Sequence, residues 1–408
     1  MKQTNILVIG QFTNNRGDQA QGVALADSIR KLIPHINITY IYFQRDFPVH
    51  KECDFIRNIF ISARRKLAVS FCRFLLFKED EILTLIKRAE VIILPSGGPY
   101  IGDMYSLRYE IHISIFLFFA KHYGRKVMIY APSMGPFQKW WRKKLHKYIL
   151  KRADVICVRD QISHKWVKSL KLKKEINLTA DAAIQKILTQ QEIKTHIAKS
   201  GLPFPSESVK IGMTPIELSW HPVFGKSADI MELNERVANA LANTIIHMIK
   251  KNIIIYFYPQ LYGNQDDMQM ISDIAARVKK AVNHNIYKDA IIILNNKSDA
   301  DYQQAHISMM DYFIGTRYHS IVFSAMYHVP FLGIYYEHKT EDFIKRLGMS
   351  EYHLSVKDID SELIINKFNQ LEKNVTELRK MLIERMKPIR ELSFQNSRYL
   401  CNLYEQNN

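Results

Sequence analysis

The stretch Gly315-Thr-Arg-Tyr-His-Ser320 sets an arginine and a histidine two positions apart, where an apolar run gives way to a helical one. Tyr312 to Gly315 reads as a strand, Ile321 to Tyr327 as a helix, and Phe331 to Tyr336 as a second strand followed by Lys339. In an open parallel sheet, ligands bind beyond the carboxyl ends of the strands. Helix N-termini there present N–H groups and partial positive charge to anions. Arg317 would supply a planar fork for a carboxylate or phosphate, and His319 a proton near neutral pH. The chemistry indicated is anion holding coupled to proton transfer. Arg and His at a helix start are also common on plain surfaces, so the rest of the chain has to decide.

A second set of polar turns follows strands nearer the N-terminus. Asn14-Asn15-Arg16-Gly17-Asp18 lies between the strand Ile6 to Ile9 and a helix expected over Ala20 to Leu32. It is no GxGxxG fingerprint, so a dinucleotide is not indicated. One reading is a tight turn with Asp18 as a helix cap. The other puts Asn15, Gly17 and Asp18 against sugar hydroxyls or a phosphate. Pro95-Ser-Gly97-Gly98 and Ala131-Pro-Ser133-Met-Gly-Pro136 close two further strands. Three such turns at strand ends suggest a ligand surface lined by backbone, with Gly97, Gly98 and Ser133 in it.

These turns need a scaffold. With 408 residues the chain exceeds the ~250–300 at which single cores stop growing, so two domains are expected. Apolar β-branched runs alternate with helical patterns. The first series is Ile6–Ile9, Ile38–Phe43, Val91–Leu94, Val127–Tyr130, Val155–Val158 and Ile176–Thr179. The second is Val209–Met213, Ile253–Tyr258, Ile291–Leu294, Tyr312–Ile314 and Phe331–Tyr335. Strands separated by helices imply βαβ units and parallel sheets. The expected class is α/β, with two doubly wound Rossmann-like domains over 1–195 and 205–370, facing across a cleft. The polar interval Gln190 to Glu207 reads as the linker. Ile359 to Tyr404 reads as helices only, and a helix within 375–408 is expected to return to the first domain.

At 47% hydrophobic and 24% charged residues this is an ordinary globular composition. Its four cysteines form no CxxC pair, which argues against a zinc site or disulfide framework and fits a reducing compartment. MKQTNILVIG reads as a first strand and not a signal peptide. Ile111 to Ala120 is about half a membrane span and is expected as a buried helix. A cytoplasmic protein is expected. The net charge of +17 admits nucleic acid, anionic membrane or small anions as partners. No RRM, KH, zinc-finger or helix-turn-helix signature supports nucleic acid. Much of the charge sits in clusters, among them Arg64-Arg65-Lys66 and Lys139 to Lys147. Residues 60–89 would suit a helix on an anionic membrane surface, or a core helix with a solvated face. Asp266-Asp267 reads as a solvated loop, and no residue set has metal-ligand spacing.

Together the motifs resemble the polysaccharide pyruvyl transferases. The pieces are G-x4-N-x-G-D at Gly10–Asp18, S-G-G at Ser96–Gly98, S-M-G-P at Ser133–Pro136 and V-R-D-x-x-S at Val158–Ser163. A-D-A-A at Ala180–Ala183, G-T-R-Y-H at Gly315–His319 and V-P-x-x-x-I-x-Y-x-x-K from Val329 to Lys339 complete them. The order holds over about residues 5–350. One departure is Tyr258-Pro-Gln260, where relatives more often carry a His near the Gln. The resemblance implies a GT-B-like two-domain arrangement. It also implies formation of a pyruvate ketal on an envelope or capsule sugar, with phosphoenolpyruvate as co-substrate and no other cofactor or metal.

That reaction must hold two anionic groups and protonate a methylene carbon. His319 is then the general acid/base and Arg317 the main anion clamp. Lys339 is a second anion ligand, with Tyr318 at the same group. Arg159 is the cation expected from the first domain, oriented by Asp160, although an Arg-Asp pair at a strand end is equally a structural ion pair. Asn15, Gly17, Asp18, Gly97, Gly98 and Ser133 are expected on the acceptor, an oligosaccharide or lipid-linked sugar. A GT-B nucleotide-sugar glycosyltransferase is the alternative enzyme, although no Glu follows the helix start at 319–328 as ribose-binding carboxylates usually do. A non-catalytic sugar-binding relative is the alternative outside catalysis.

Overall fold

The computed structural model describes residues 4–12, 14–42, 55–60, 80–97, 101–219, 221, 224–226, 228–249, 252–262, 267–294 and 299–406. The chain divides into two compact units. The first holds residues 1–14, 18–186 and 389–408, and the second holds 15–17 and 187–388.

The first unit is built on β1 (Thr4–Gln11), β2 (Ile36–Tyr42), β3 (Ile56–Phe60), β4 (Val91–Leu94), β5 (Lys126–Ile129), β6 (Val155–Val158) and β7 (Asn177–Leu178), in the order β3-β2-β1-β4-β5-β6-β7. Every pairing is parallel. Both faces are covered, which is why VIIL and VICV are nearly unbroken apolar runs. Side chains alternate between the faces: Leu7 and Ile9 enter one core with Phe116 and Val127, while Ile6 and Val8 enter another with Met128, Leu400 and Leu403. Strand order reverses between β1 and β4, which opens a crevice at their carboxyl ends.

The second unit repeats the plan with β8 (Val209–Thr214), β9 (Ile253–Phe257), β10 (Ile291–Ile293), β11 (Tyr312–Gly315), β12 (Phe331–Tyr335) and β13 (His353–Ser355), ordered β10-β9-β8-β11-β12-β13 and all parallel. Its reversal lies between β8 and β11. The doubly wound α/β class is therefore present in both units.

Three expectations need correction. Gln190–Ser200, read as linker, is a helix opened by a capping box in which Thr189 and Glu192 bond reciprocally, and closed by left-handed Gly201. Its apolar stripe is narrow, with Ile193 packed beside Leu188 and Ala305, so polarity hid it. The helix Leu107–His122 buries Ile113, Phe116, Leu117 and Phe119 but leaves Ile111 45% and Phe118 39% exposed. The first helix starts at Arg16, which puts Asp18 inside its first turn and not at its cap. Arg64, Arg65 and Lys66 lie outside the described residues. No helix among the described residues is long and apolar enough to cross a membrane.

Candidate active site

Strand β11 ends at Gly315 because the chain must turn tightly there: a Cβ at Gly315 would lie 2.8 Å from Ile321 and 3.0 Å from Ser320. Thr316 and Ser320 then tie this turn to the end of β8 across the strand-order reversal. The Thr316 N–H and hydroxyl both donate to Thr214, and the Thr214 and Ser320 hydroxyls are 2.8 Å apart. Arg317 caps the helix Tyr318–Met326 with extended backbone, and its carbonyl accepts from the Ser320 hydroxyl at 2.7 Å. Arg317 and His319 therefore sit on a rigid strand-to-helix junction.

Arg317 is buried, and its guanidinium donates to Asp267 in an ion pair. Burial alone would lower its pKa, but Asp267 and Tyr336 outweigh this and raise it. Asp267, expected in a solvated loop, is fully buried; its neighbour Asp266 lies outside the described residues. The other Asp267 oxygen accepts from the Gln260 and Leu261 N–H groups, each at 2.9 Å. The Gln260 carbonyl in turn accepts from the Arg16 N–H at 2.9 Å, and Asn15 bridges to Leu261. The Tyr-Pro-Gln departure thus still holds a backbone knot between the Arg317 partner and the first βα turn.

That turn delivers Gly17 to His319. A Cβ on Gly17 would fall 1.9 Å from His319 Cγ and Nδ1, so only glycine admits the imidazole there. The Asn15 side chain accepts from the Gly17 N–H at 2.8 Å and fixes the turn. Arg16, fully buried, stacks on Tyr262 with its Cζ 3.9 Å from the ring centroid. His319 is 6% exposed and meets Tyr318 edge to face, with centroids 4.9 Å apart. Lys339 Nζ lies 5.9 Å from the Tyr318 centroid and pairs with Glu337 at 2.5 Å. Glu337 also meets His221 Nε2 at 3.2 Å. Burial would raise the Glu337 carboxyl, yet Lys339 and His221 together hold it well below the usual carboxylate range. Tyr336 stands edge to face with His221 and is pushed up by burial and by Glu337. The second unit therefore gathers Asn15, Gly17, Arg317, Tyr318, His319 and Lys339. Asp267, Glu337, His221 and Tyr336 are partners that sequence reasoning missed.

The first unit assembles its own strand-end turns. Gln11 is fully buried at the end of β1, and its amide donates to Asp18 O at 2.7 Å and Gly97 O at 3.4 Å. A Cβ on Gly97 would lie 2.2 Å from that amide nitrogen. Ser96 donates to Tyr130 O at 2.5 Å. Gly98 lies outside the described residues. Arg159 pairs with Asp181 and donates to the Ser133 hydroxyl at 2.8 Å, so any link to Asp160 among these bonds runs through Ser133. Asp160 caps the helix Gln161–Ser169 through the Ser163 N–H and accepts from Ser133 at 2.7 Å. Among the described residues no three His, Cys, Asp or Glu side chains gather as a metal site.

Solved structures with this architecture include a UDP-GlcNAc 2-epimerase from Neisseria meningitidis bound to UDP-GlcNAc, with TM-score 0.60, 10% identity and 99% and 100% of the two chains covered. A glycosyltransferase from Rickettsia africae matches with TM-score 0.59, 14% identity and 100% and 99% coverage. At such identities the likeness speaks for a GT-B-type fold alone. By sequence the chain is 22% identical over 302 residues to the amylovoran biosynthesis protein AmsJ of Erwinia amylovora. That match takes in 70% of this chain and 66% of that protein, just under two thirds of its length. The family described as polysaccharide pyruvyl transferase matches residues 15–338.

Proposed function

The chain belongs to the polysaccharide pyruvyl transferase family, and from that premise we propose that it moves pyruvate from phosphoenolpyruvate onto a sugar of a bacterial polysaccharide or its lipid-linked precursor. The product is a ketal and the leaving group is phosphate. The observation that carries this reading is the junction after β11. There Arg317, oriented by Asp267 and Tyr336, adjoins His319, which is seated against Gly17.

In this scheme His319 gives a proton to the methylene carbon, which becomes methyl and leaves the adjacent carbon electrophilic. A sugar hydroxyl attacks that carbon and loses its proton, restoring the imidazolium. A second hydroxyl displaces phosphate, closes the ring, and its proton leaves with the phosphate. Arg317 holds the phosphate or carboxylate as a fork, and Lys339 serves as a point charge on the other anion. Arg159, in the first unit, is assigned as a further anion ligand. Asn15, Asp18, Gly97, Gly98 and Ser133 are assigned to the acceptor. No step calls on a metal or another cofactor.

Calorimetry with phosphoenolpyruvate and a phosphate-release assay in excess EDTA test the division of labour. Arg317→Ala should weaken binding by about 2–4 kcal/mol, and Arg317→Lys should restore little. His319→Ala should keep binding within a few-fold while turnover falls roughly 10²-fold or more. Parental turnover in His319→Ala would remove that role. A nucleotide sugar that raises the melting temperature where phosphoenolpyruvate does not would favour glycosyl transfer instead.

A further inference from the structure

The helices Leu107–His122 and Trp140–Arg152 pack side by side in the first unit, and their outer faces do not look like an ordinary solvated surface. Trp140 is 73% exposed, Trp141 45%, Ile111 45% and Phe118 39%. Between the helices runs a groove of about 600 Å³ whose walls include Ile111, Ile115, Phe118, Leu145 and Tyr148. Exposed Lys139, Lys143 and Lys144 flank the tryptophans, and Lys144 Nζ lies 5.6 Å from the Trp140 centroid. The helix Trp140–Arg152 has no acidic residue, and the one carboxylate of its neighbour, Glu110, is fully buried against Arg142 and His146. The face is therefore apolar and cationic at once.

We propose that this face docks on an anionic lipid bilayer, with Trp140 and Trp141 at headgroup depth and the lysines on lipid phosphates. Indole rings favour the interface because one edge is polar and the body apolar. Basic side chains around an apolar strip are the pattern of helices that lie in the membrane plane. A second copy of the chain is disfavoured, because a two-fold contact sets this face on itself and brings its lysines together, while the Asp103 carboxylate at the helix start is already engaged by the Gln138 and Lys139 N–H groups and by Arg142. Nucleic acid would leave the apolar groove unfilled. The inference is independent of the pyruvyl-transfer reading.

The test is flotation of the full-length protein with phosphatidylcholine vesicles, with and without phosphatidylglycerol. Binding is expected only with the anionic lipid, is expected to fall as salt rises, and should bring tryptophan quenching by brominated lipid. Lys143→Gln with Lys144→Gln should weaken binding about fivefold per cation removed. Trp140→Ser with Trp141→Ser should weaken it at least tenfold and abolish most of the quenching. All four positions lie outside the proposed catalytic machinery, so melting temperature and phosphoenolpyruvate binding should hold. Unchanged vesicle binding in both variants would overturn the proposal. So would absence of vesicle binding combined with a concentration-dependent dimer that the tryptophan variant abolishes.

Discussion

At the scale of single residues, the contact between Gly17 and His319 has the sharpest consequence. A methyl group at position 17 cannot coexist with the imidazole where it stands, since the two would be 1.9 Å apart. Gly17→Ala should therefore turn His319 away, with turnover falling roughly 10²-fold while phosphoenolpyruvate affinity, assigned in the proposed scheme to Arg317 and Lys339, changes little. The phosphate-release assay beside calorimetry separates the two quantities, and equal losses in both would contradict this geometry. Arg317 and His319 were legible in the sequence because residue type, spacing and a strand-to-helix transition coincide there. Asp267 was not. Its role comes from folding back onto Arg317, and a carboxylate beside another carboxylate in a polar stretch gives no local sign of burial. Gln11 was hidden for the converse reason, since a glutamine ending a strand carries no chemical signature until Gly97 is seen against it.

At the scale of elements, the helix Ala300–Ile307 carries a pH dependence. His306 is buried with Nδ1 2.7 Å from the Tyr302 carbonyl oxygen, stacked on Tyr302 and tilted against Phe204. Burial pushes its imidazole down to about 4, with His196 acting in the same direction and the Tyr302 carbonyl against it. The ordinary value is 6.5, so between these limits the unfolded chain binds the extra proton. Stability is thus full above pH 6.5 and is lost as pH falls toward 4, by on the order of 1–3 kcal/mol. Denaturant midpoints across that window should fall in the parent and stay flatter in His306→Phe. The strands that sequence patterning found are those with continuous apolar β-branched runs, such as Val91–Leu94. Those missed are sheet edges: β3 carries Arg57 and Asn58, and β13 is three residues beginning with His353. An edge strand is buried on fewer sides and is free to be polar. The helix Gln190–Ser200 was also readable, through Thr189 and Glu192, had capping been weighed above polarity.

At the scale of the whole molecule, the first unit is discontinuous in sequence. The helix Val375–Glu405 sends its last turns into that unit's core, where Leu400 and Leu403 are buried. Ser393 donates to Asp181 O at 2.6 Å, Asn396 to Ala180 O at 2.9 Å, and Ser397 lies 2.6 Å from the Tyr130 hydroxyl. This strut stands directly behind Asp181, the partner of Arg159. A chain ended after Pro388 should lose roughly 5 kcal/mol or more from the first unit, from two leucines and the hydrogen-bond partners left buried. Scanning calorimetry should show one transition shifted down and the other in place; a common shift would argue against separable units. The same connectivity orders events during synthesis. Residues 187–388 leave the ribosome as one continuous block and can condense as they emerge. The sheet begun by β1 must wait, because its closing piece is made after the whole of the second unit. The part of the protein translated first is thus the last to be finished, and in the interval the apolar face meant for Leu400 and Leu403 stands open to chaperones and to aggregation.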